Sequence, residues 1–293
     1  MEGLQSLKIC LITGTSTGIG HATALHLARQ GYKVHASMRN AAKAVPLREW
    51  AAAENLPLVI ETLDVSDNQS MLACVERIIA TEGRIDVLVN NAGLSSSSPI
   101  ETYPEDEHRA MFEANYWGPV KLTQAVLPGM RAHSHGAIVN ISSIVGRVAW
   151  ANQGVYCASK FAMEAFSETL TQEVAPLGIR VAIIEPGVIA SAIFENTPVH
   201  YYRASPYKSA MRRNGRFFNA GIANATPAEA VAKVIAEALL AEQPKLRYPV
   251  GFGSEIMDRR AAMSDEDFVA LSTLDDGDYY QVLRDRLGIE LEP

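Results

Sequence analysis

Tyr156 and Lys160 stand four residues apart in the string Tyr156-Cys157-Ala158-Ser159-Lys160. On a helix that spacing puts both side chains on one face. A phenol with an ordinary pKa of about 10 is a poor acid–base catalyst at neutral pH, but a neighbouring ammonium favours the phenolate and lowers that pKa. Alone, such a pair is more often a half-buried tyrosine beside a surface lysine. Its surroundings give it weight. Asn140-Ile141-Ser142-Ser143 closes one apolar run 13 residues before Tyr156, and Asn90-Asn91-Ala92-Gly93 closes another. A serine hydroxyl there could donate to a substrate carbonyl oxygen, and Asn115, in Glu113-Ala114-Asn115-Tyr116, could order a water or the backbone.

A second constellation has phosphate chemistry. Thr13-Gly14-Thr15-Ser16-Thr17-Gly18-Ile19-Gly20 follows an apolar run and opens an amphipathic stretch. Glycines there let the backbone turn tightly and approach a pyrophosphate, while a helix N-terminus offers free N–H groups and the positive end of its dipole. Dinucleotide sites for NAD place an acid about 20 residues further on, to take the ribose 2′-OH. This chain has His35-Ala36-Ser37-Met38-Arg39-Asn40 instead, with no carboxylate. Arg39 could clamp a 2′-phosphate through its planar fork. NADP(H) is therefore expected over NAD(H).

These residues need a scaffold that brings them together. Short β-branched runs at 7–13, 33–38, 58–63, 87–90, 137–142 and 181–185 alternate with helical stretches such as 19–30 and 41–54. That alternation implies βαβ units and one doubly wound parallel sheet, of strand order 3-2-1-4-5-6 with a seventh strand appended and helices on both faces. Ligands of such sheets bind beyond the carboxyl ends of the strands, where the glycine loop and both polar strand ends fall. Residues 188–225 show no clean period. They are expected to be a substrate-binding lid, and their basic stretch, His200, Arg203, Lys208, Arg212, Arg213 and Arg216, a solvated helix face or a contact with an anionic substrate tail or a membrane surface. Thr226, Pro227 and Glu229 read as the capped start of one more helix, and 245–250 as a last strand.

Composition excludes several classes. Of 293 residues, 48% are hydrophobic and 20% charged, as in an ordinary globular protein with a real core. Residues 255–293 hold eleven acids and four basic residues and so carry the whole formal charge of −7. A neutral body with an acidic tail suits no nucleic acid. Three cysteines without paired spacing, and His133 and His135 without companions, predict neither a disulfide framework nor a metal site. The best apolar run, 181–194, is broken by Glu185, Pro186 and Gly187, so no transmembrane segment is expected. The first residues do not read as a signal peptide, and a cytoplasmic location is expected.

In order and at family spacing over residues 7–191, the chain resembles the short-chain dehydrogenase/reductases. It carries TGTSTGIG at the glycine loop, Asp64-Val65 after the third strand, Asn90-Asn91-Ala92-Gly93, Asn115, Ser143, Tyr156 with Lys160, and Pro186-Gly187. It is most similar to the branch of estradiol-type hydroxysteroid and photoreceptor-type retinol dehydrogenases. The resemblance implies Tyr156 as acid/base, Lys160 on the nicotinamide ribose and lowering the tyrosine pKa, Ser143 orienting the substrate oxygen, and Asn115 supporting a proton-relay water. Gly14, Thr15, Ser16, Thr17, Gly18, Ile19, Gly20, Arg39, Asp64, Val65, Asn91, Ala92, Gly93, Pro186, Gly187 and Val188 would line the cofactor. So would Ser191, which stands where the family often has threonine. Ser95, Arg147, Trp150 and Phe194 would border the substrate.

The expectation is a single domain over 1–293, with a lid at 188–225 and an acidic C-terminal extension at 251–293. It would interconvert a ketone or aldehyde and an alcohol on a small, hydrophobic molecule. A ketoacyl-thioester reductase and a non-catalytic NADP sensor are the alternatives. The family implies pairing of the helices near 109–126 and 154–176 into a homodimer or homotetramer.

Overall fold

The computed structural model describes residues 7–191, 193, 197–199 and 205–291. Seven strands, β1 (Lys8–Thr13), β2 (Tyr32–Met38), β3 (Leu58–Thr62), β4 (Val87–Asn90), β5 (Gly136–Ile141), β6 (Ile179–Pro186) and β7 (Arg247–Val250), form one sheet in the order β3-β2-β1-β4-β5-β6-β7. Every pairing is parallel. The helices are α1 (Gly18–Arg29), α2 (Val45–Ala53), α3 (Asn68–Glu82), α4 (Glu105–Phe112), α5 (Gly118–Ala132), α6 (Gly154–Val174), α7 (Lys208–Ala223), α8 (Ala228–Leu240), α9 (Ile256–Ala261), α10 (Asp265–Ala270) and α11 (Asp276–Val282).

Alternation along buried strands sorts the core into two layers. Cys10, Ile12, Val34, Ala36, Val89, Val139 and Ile184 face α1 and α8. Ile9, Leu11, Leu88, Ile138 and Val181 face α3, α5 and α6. The order reverses at β1, which pairs with β2 on one side and β4 on the other. A crevice opens there, at the carboxyl ends of both.

Two expectations change. Residues 208–223, read as aperiodic, form the helix α7. Its inward face includes Arg213 and Asn214 beside Met211 and Phe217, and those polar residues conceal the helical period. Thr226 does not cap α8: its hydroxyl accepts the Phe252 N–H at 3.1 Å, and Pro227 stands at the cap.

The C-terminal extension is packed, not loose. Tyr279, Tyr280, Leu283, Leu287, Ile289 and Leu291 build a third core with Ile144, Val148 and Phe217. The basic stretch meets this extension. Arg213 bonds Asp276 at 3.0 Å and the Leu274 carbonyl at 2.6 Å, and its guanidinium lies 4.1 Å from the Tyr279 ring centre. Arg212 also pairs with Asp276, and Arg216 lies over Tyr280. His200 and Arg203 lie outside the described residues.

Candidate active site

The glycine loop is built as a cradle. Gly14 (φ +71°) and Gly18 (φ +58°) adopt left-handed backbone that glycine takes without steric cost. At Gly20 the reason is space: a Cβ would lie 2.3 Å from the Gly14 carbonyl oxygen and 2.4 Å from Asn91 Nδ2. Asn91 ties β4 to the loop by donating to the carbonyls of Thr13 and Gly14 (2.8 and 3.0 Å), and Thr13 Oγ1 accepts the N–H groups of Asn91 and Ala92. Thr15 is buried and spends its N–H and hydroxyl on the Ser37 carbonyl. Ser16 and Ile19 are half-buried, while Thr17 is exposed. Thr17 makes no side-chain cap, so it leaves the first N–H groups of α1 to a ligand.

The other cofactor candidates surround this cradle. Arg39 is exposed at the end of β2 and has no ion pair or hydrogen bond among the described residues. Asp64 folds onto its own turn, accepting the Ser66 N–H at 2.9 Å, and Val65 is buried against Gly118. Gly187 and Val188 follow β6 and donate to the carbonyls of Val250 and Phe252. A Cβ on Gly187 would overlap the Phe252 oxygen, and one on Gly18 would lie 2.9 Å from Ser191 Cβ. The donor-lined cradle, the carboxylate-free ribose end and the unpartnered Arg39 fit a nicotinamide dinucleotide.

Tyr156 and Lys160 sit in the first two turns of α6, opposite the end of β5. Burial pushes the Tyr156 phenol up to about 12, while the Ser143 hydroxyl against it pulls the other way. Burial pushes the Lys160 ammonium down to about 8, and Glu164 opposes that. Lys160 Nζ donates to the Ile141 carbonyl at 2.8 Å and lies 5.8 Å from the Tyr156 ring centre. Ser143 caps a short 3₁₀ turn, accepting the Val145 N–H, and its hydroxyl donates to the Pro186 carbonyl at 3.4 Å.

Asn115 lies in a π-type turn, Glu113–Trp117, an insertion that recurs at functional sites. Its Oδ1 accepts the Leu94 N–H (2.7 Å), and its Nδ2 donates to the Leu94 carbonyl (2.9 Å) and Ser159 Oγ (3.0 Å). It thereby pins the segment after Gly93, through Leu94, to α6. A Cβ on Gly93 would stand 3.0 Å from Asn115 Oδ1 and 3.8 Å from Lys160 Nζ, so a bare glycine keeps this corner open.

The substrate candidates divide. Trp150 lines a small apolar cavity with Ile144, Val145, Val148, Gln153, Phe217 and Ile256, and its ring centre lies 5.4 Å from that of Phe217. Ser95 is half-buried after Gly93. Arg147 turns instead toward the Glu185 carboxylate, 3.7 Å away. Phe194 lies outside the described residues. Sequence reasoning missed Ser159, Glu164, Glu185 and Arg247. A carboxylate at Glu164, one helical turn beyond Lys160, was a readable signal; Arg247 reaches it only through the fold.

Comparison with known proteins agrees with this geometry. Residues 8–201 match the family model of the short chain dehydrogenases. Human 17-beta-hydroxysteroid dehydrogenase type 1 is 36% identical over 260 residues, covering 82% of this chain and 76% of its own. The 3-ketodihydrosphingosine reductase of Bacteroides thetaiotaomicron is 39% identical over 190 residues, covering 64% of this chain and 66% of its own. The crystal structure of a short-chain dehydrogenase from Streptomyces avermitilis superposes with a TM-score of 0.79 at 31% identity, covering 96% of this chain and 99% of that one. The chain belongs to the short-chain dehydrogenase family and is an NAD(P)-dependent oxidoreductase.

Proposed function

We propose that this oxidoreductase uses NADP(H) to interconvert a ketone or aldehyde and an alcohol on a hydrophobic substrate, with Tyr156 as acid/base. The observation that carries the reading is the meeting of Ser143, Tyr156 and Lys160 at the sheet end that holds the glycine cradle. The nicotinamide, when bound, supplies hydride. The protein's part is the proton. In reduction the phenol must begin protonated, which burial favours, and the Lys160 cation then stabilises the phenolate that proton transfer leaves. Ser143 donates to the same substrate oxygen, and Asn115 keeps α6 in register with the strand end. Gly14 to Gly20, Asn91, Gly93, Lys160, Gly187, Val188 and Ser191 would hold the cofactor, with Arg39 on its 2′-phosphate.

The apolar wall of Ile144, Val148, Trp150 and Phe217, with part of the 188–225 segment behind it, supports a hydrophobic substrate. The names of the two relatives, a hydroxysteroid dehydrogenase and a ketodihydrosphingosine reductase, accord with a ketone–alcohol pair. A carrier-bound thioester is less favoured, because Arg212, Arg213 and Arg216 are engaged by the chain's own C-terminal extension.

Assembly belongs to the same proposal. Trp117 and Phe161 are 44% and 42% exposed at the π-type turn and on α6, which supports a homodimer or homotetramer through these elements. Sedimentation at micromolar concentration should give a dimer or larger; a monomer would contradict it. No described helix is long and apolar enough to cross a membrane. Three buried free cysteines accord with a cytoplasmic location. The activity itself is tested with a carbonyl panel and both reduced cofactors. NADPH oxidation by at least one apolar ketone or aldehyde is expected, and none with any would leave the sensor reading standing.

A further inference from the structure

Behind Lys160 lies a buried group of charges that hydride transfer does not touch. Glu164 follows Lys160 by one turn of α6 and is 5% exposed; Glu185, at the end of β6, is 0% exposed. Both meet one guanidinium. Arg247 Nε stands 3.0 Å from Glu164 Oε2 and 3.6 Å from Glu185 Oε1, and its outer nitrogen bonds Glu168 at 2.7 Å. Arg147 approaches Glu185 from the loop after Ser143, at 3.7 Å. A Cβ on Gly146 would lie 2.6 Å from Ser142 Oγ and 3.1 Å from Glu164 Cγ, so this loop packs flush on the group.

A buried ammonium loses its hydration and needs a compensating charge. Lys160 has the Ile141 carbonyl as hydrogen-bond acceptor, with Asn115 and Tyr156 near it, and neither side chain carries charge at neutral pH. Glu164, buried one turn further along the same face of α6, is the carboxylate whose charge opposes loss of the Lys160 proton. Around Glu164 stand Ser142 from β5, Arg147, Arg247 from β7 and the rival carboxylate Glu185; Asp258 acts on Glu185 from α9.

We propose that Glu164, clamped by Arg247, is the positioning residue of the active-site lysine: its carboxylate keeps Lys160 cationic inside the protein and seats that turn of α6 against β6 and β7. The role rests on Lys160 serving the Tyr156 proton transfer proposed above. Burial pushes the Glu164 carboxyl above its ordinary value and the Arg247 guanidinium, 3.0 Å away, draws it back; Glu164 in turn opposes the loss of the Lys160 proton, and Lys160 stabilises the tyrosinate. Glu185 competes for Arg247, and Arg147 offsets it.

The test is a titration of Lys160, one of eight lysines, in protein labelled at lysine Cε and followed by NMR, with the signal assigned by its loss in Lys160→Arg. Wild type should titrate near 8. Glu164→Gln should lower that midpoint by about one unit. Glu164→Asp should restore most of the change, and Arg247→Met should move the midpoint the same way by less. An unchanged midpoint in folded Glu164→Gln would overturn the proposal. Where that variant does not fold, Arg247→Met decides: a lowered midpoint supports the role and an unmoved one refutes it.

Turnover gives a second readout. Glu164→Gln should lower kcat at pH 8 by about tenfold, with the carbonyl KM within about twofold, and recover as pH falls and Lys160 recharges. A loss of kcat independent of pH would contradict the role. The titration needs no substrate, so a wild-type chain that reduces no carbonyl refutes the carbonyl reading while the NMR midpoint still decides on Glu164.

Discussion

Lys160 Nζ stands 5.8 Å from the centre of the Tyr156 ring, and the two groups are pushed in opposite directions by one cause, burial. Burial keeps the phenol protonated and makes the ammonium easier to lose. Reduction needs the acid and the cation together, so the rate should hold through neutral pH and fall as pH rises through the Lys160 value near 8. Lys160→Met should lower kcat by about 10²-fold or more and remove that alkaline fall. A variant that keeps the wild-type pH profile would contradict the link.

Arg39 faces solvent at the end of β2 with no carboxylate partner among the described residues. Arg39→Asp should reverse the cofactor order, weakening NADPH by about tenfold, or roughly 1.4 kcal/mol, and admitting NADH. Fluorescence titration with both cofactors measures this. Unchanged NADPH affinity would refute the assignment.

Glu185 has its carboxyl pushed up from 4.5 to about 7, chiefly by burial and then by Glu164. An acid whose folded pKa is raised binds more protons folded than unfolded, so stability falls as pH rises between those two values and is flat above them. Glu185→Gln should flatten that slope, raising Tm relative to wild type at pH 8 by about 2–4 °C, the effect of about 1 kcal/mol in a protein of this size. Equal pH slopes in the two proteins would show that Glu185 is charged throughout.

Arg213 joins α7 to the C-terminal extension through Asp276, the Leu274 carbonyl and the Tyr279 ring. Arg213→Ala leaves the Leu274 carbonyl without that donor and Asp276 with Arg212 alone, and should destabilise the protein by on the order of 2–3 kcal/mol. The extension should then be cut first in limited proteolysis. Wild-type resistance would mean the third core holds it unaided.

Much of this was legible from local pattern. Strand 87–90 was read with the same bounds as β4, and the glycine loop fell between β1 and α1 because strand-to-helix turns carry their own residue signature. Residues whose partners are distant in sequence were not legible. Glu185 looked like a break in an apolar run, yet it is fully buried because Arg147 and Arg247 come to it from two other elements. In α7, Asn214 is buried because Ser97 accepts its amide at 2.9 Å, and Arg213 because Asp276 meets it. No window of sequence around residue 213 contains either partner. Thr226 is the same lesson at small scale: a good capping residue is taken by Phe252 instead.

Tyr156→Phe tests the central claim most directly, because it removes the hydroxyl proton and little else. NADPH oxidation is followed with the best carbonyl substrate of the wild-type chain, and NADPH affinity is measured alongside. The variant should lose about 10²–10⁴-fold in kcat while binding NADPH within about twofold of wild type. Near-normal turnover in a folded Tyr156→Phe protein would contradict the assignment of this tyrosine as the acid/base.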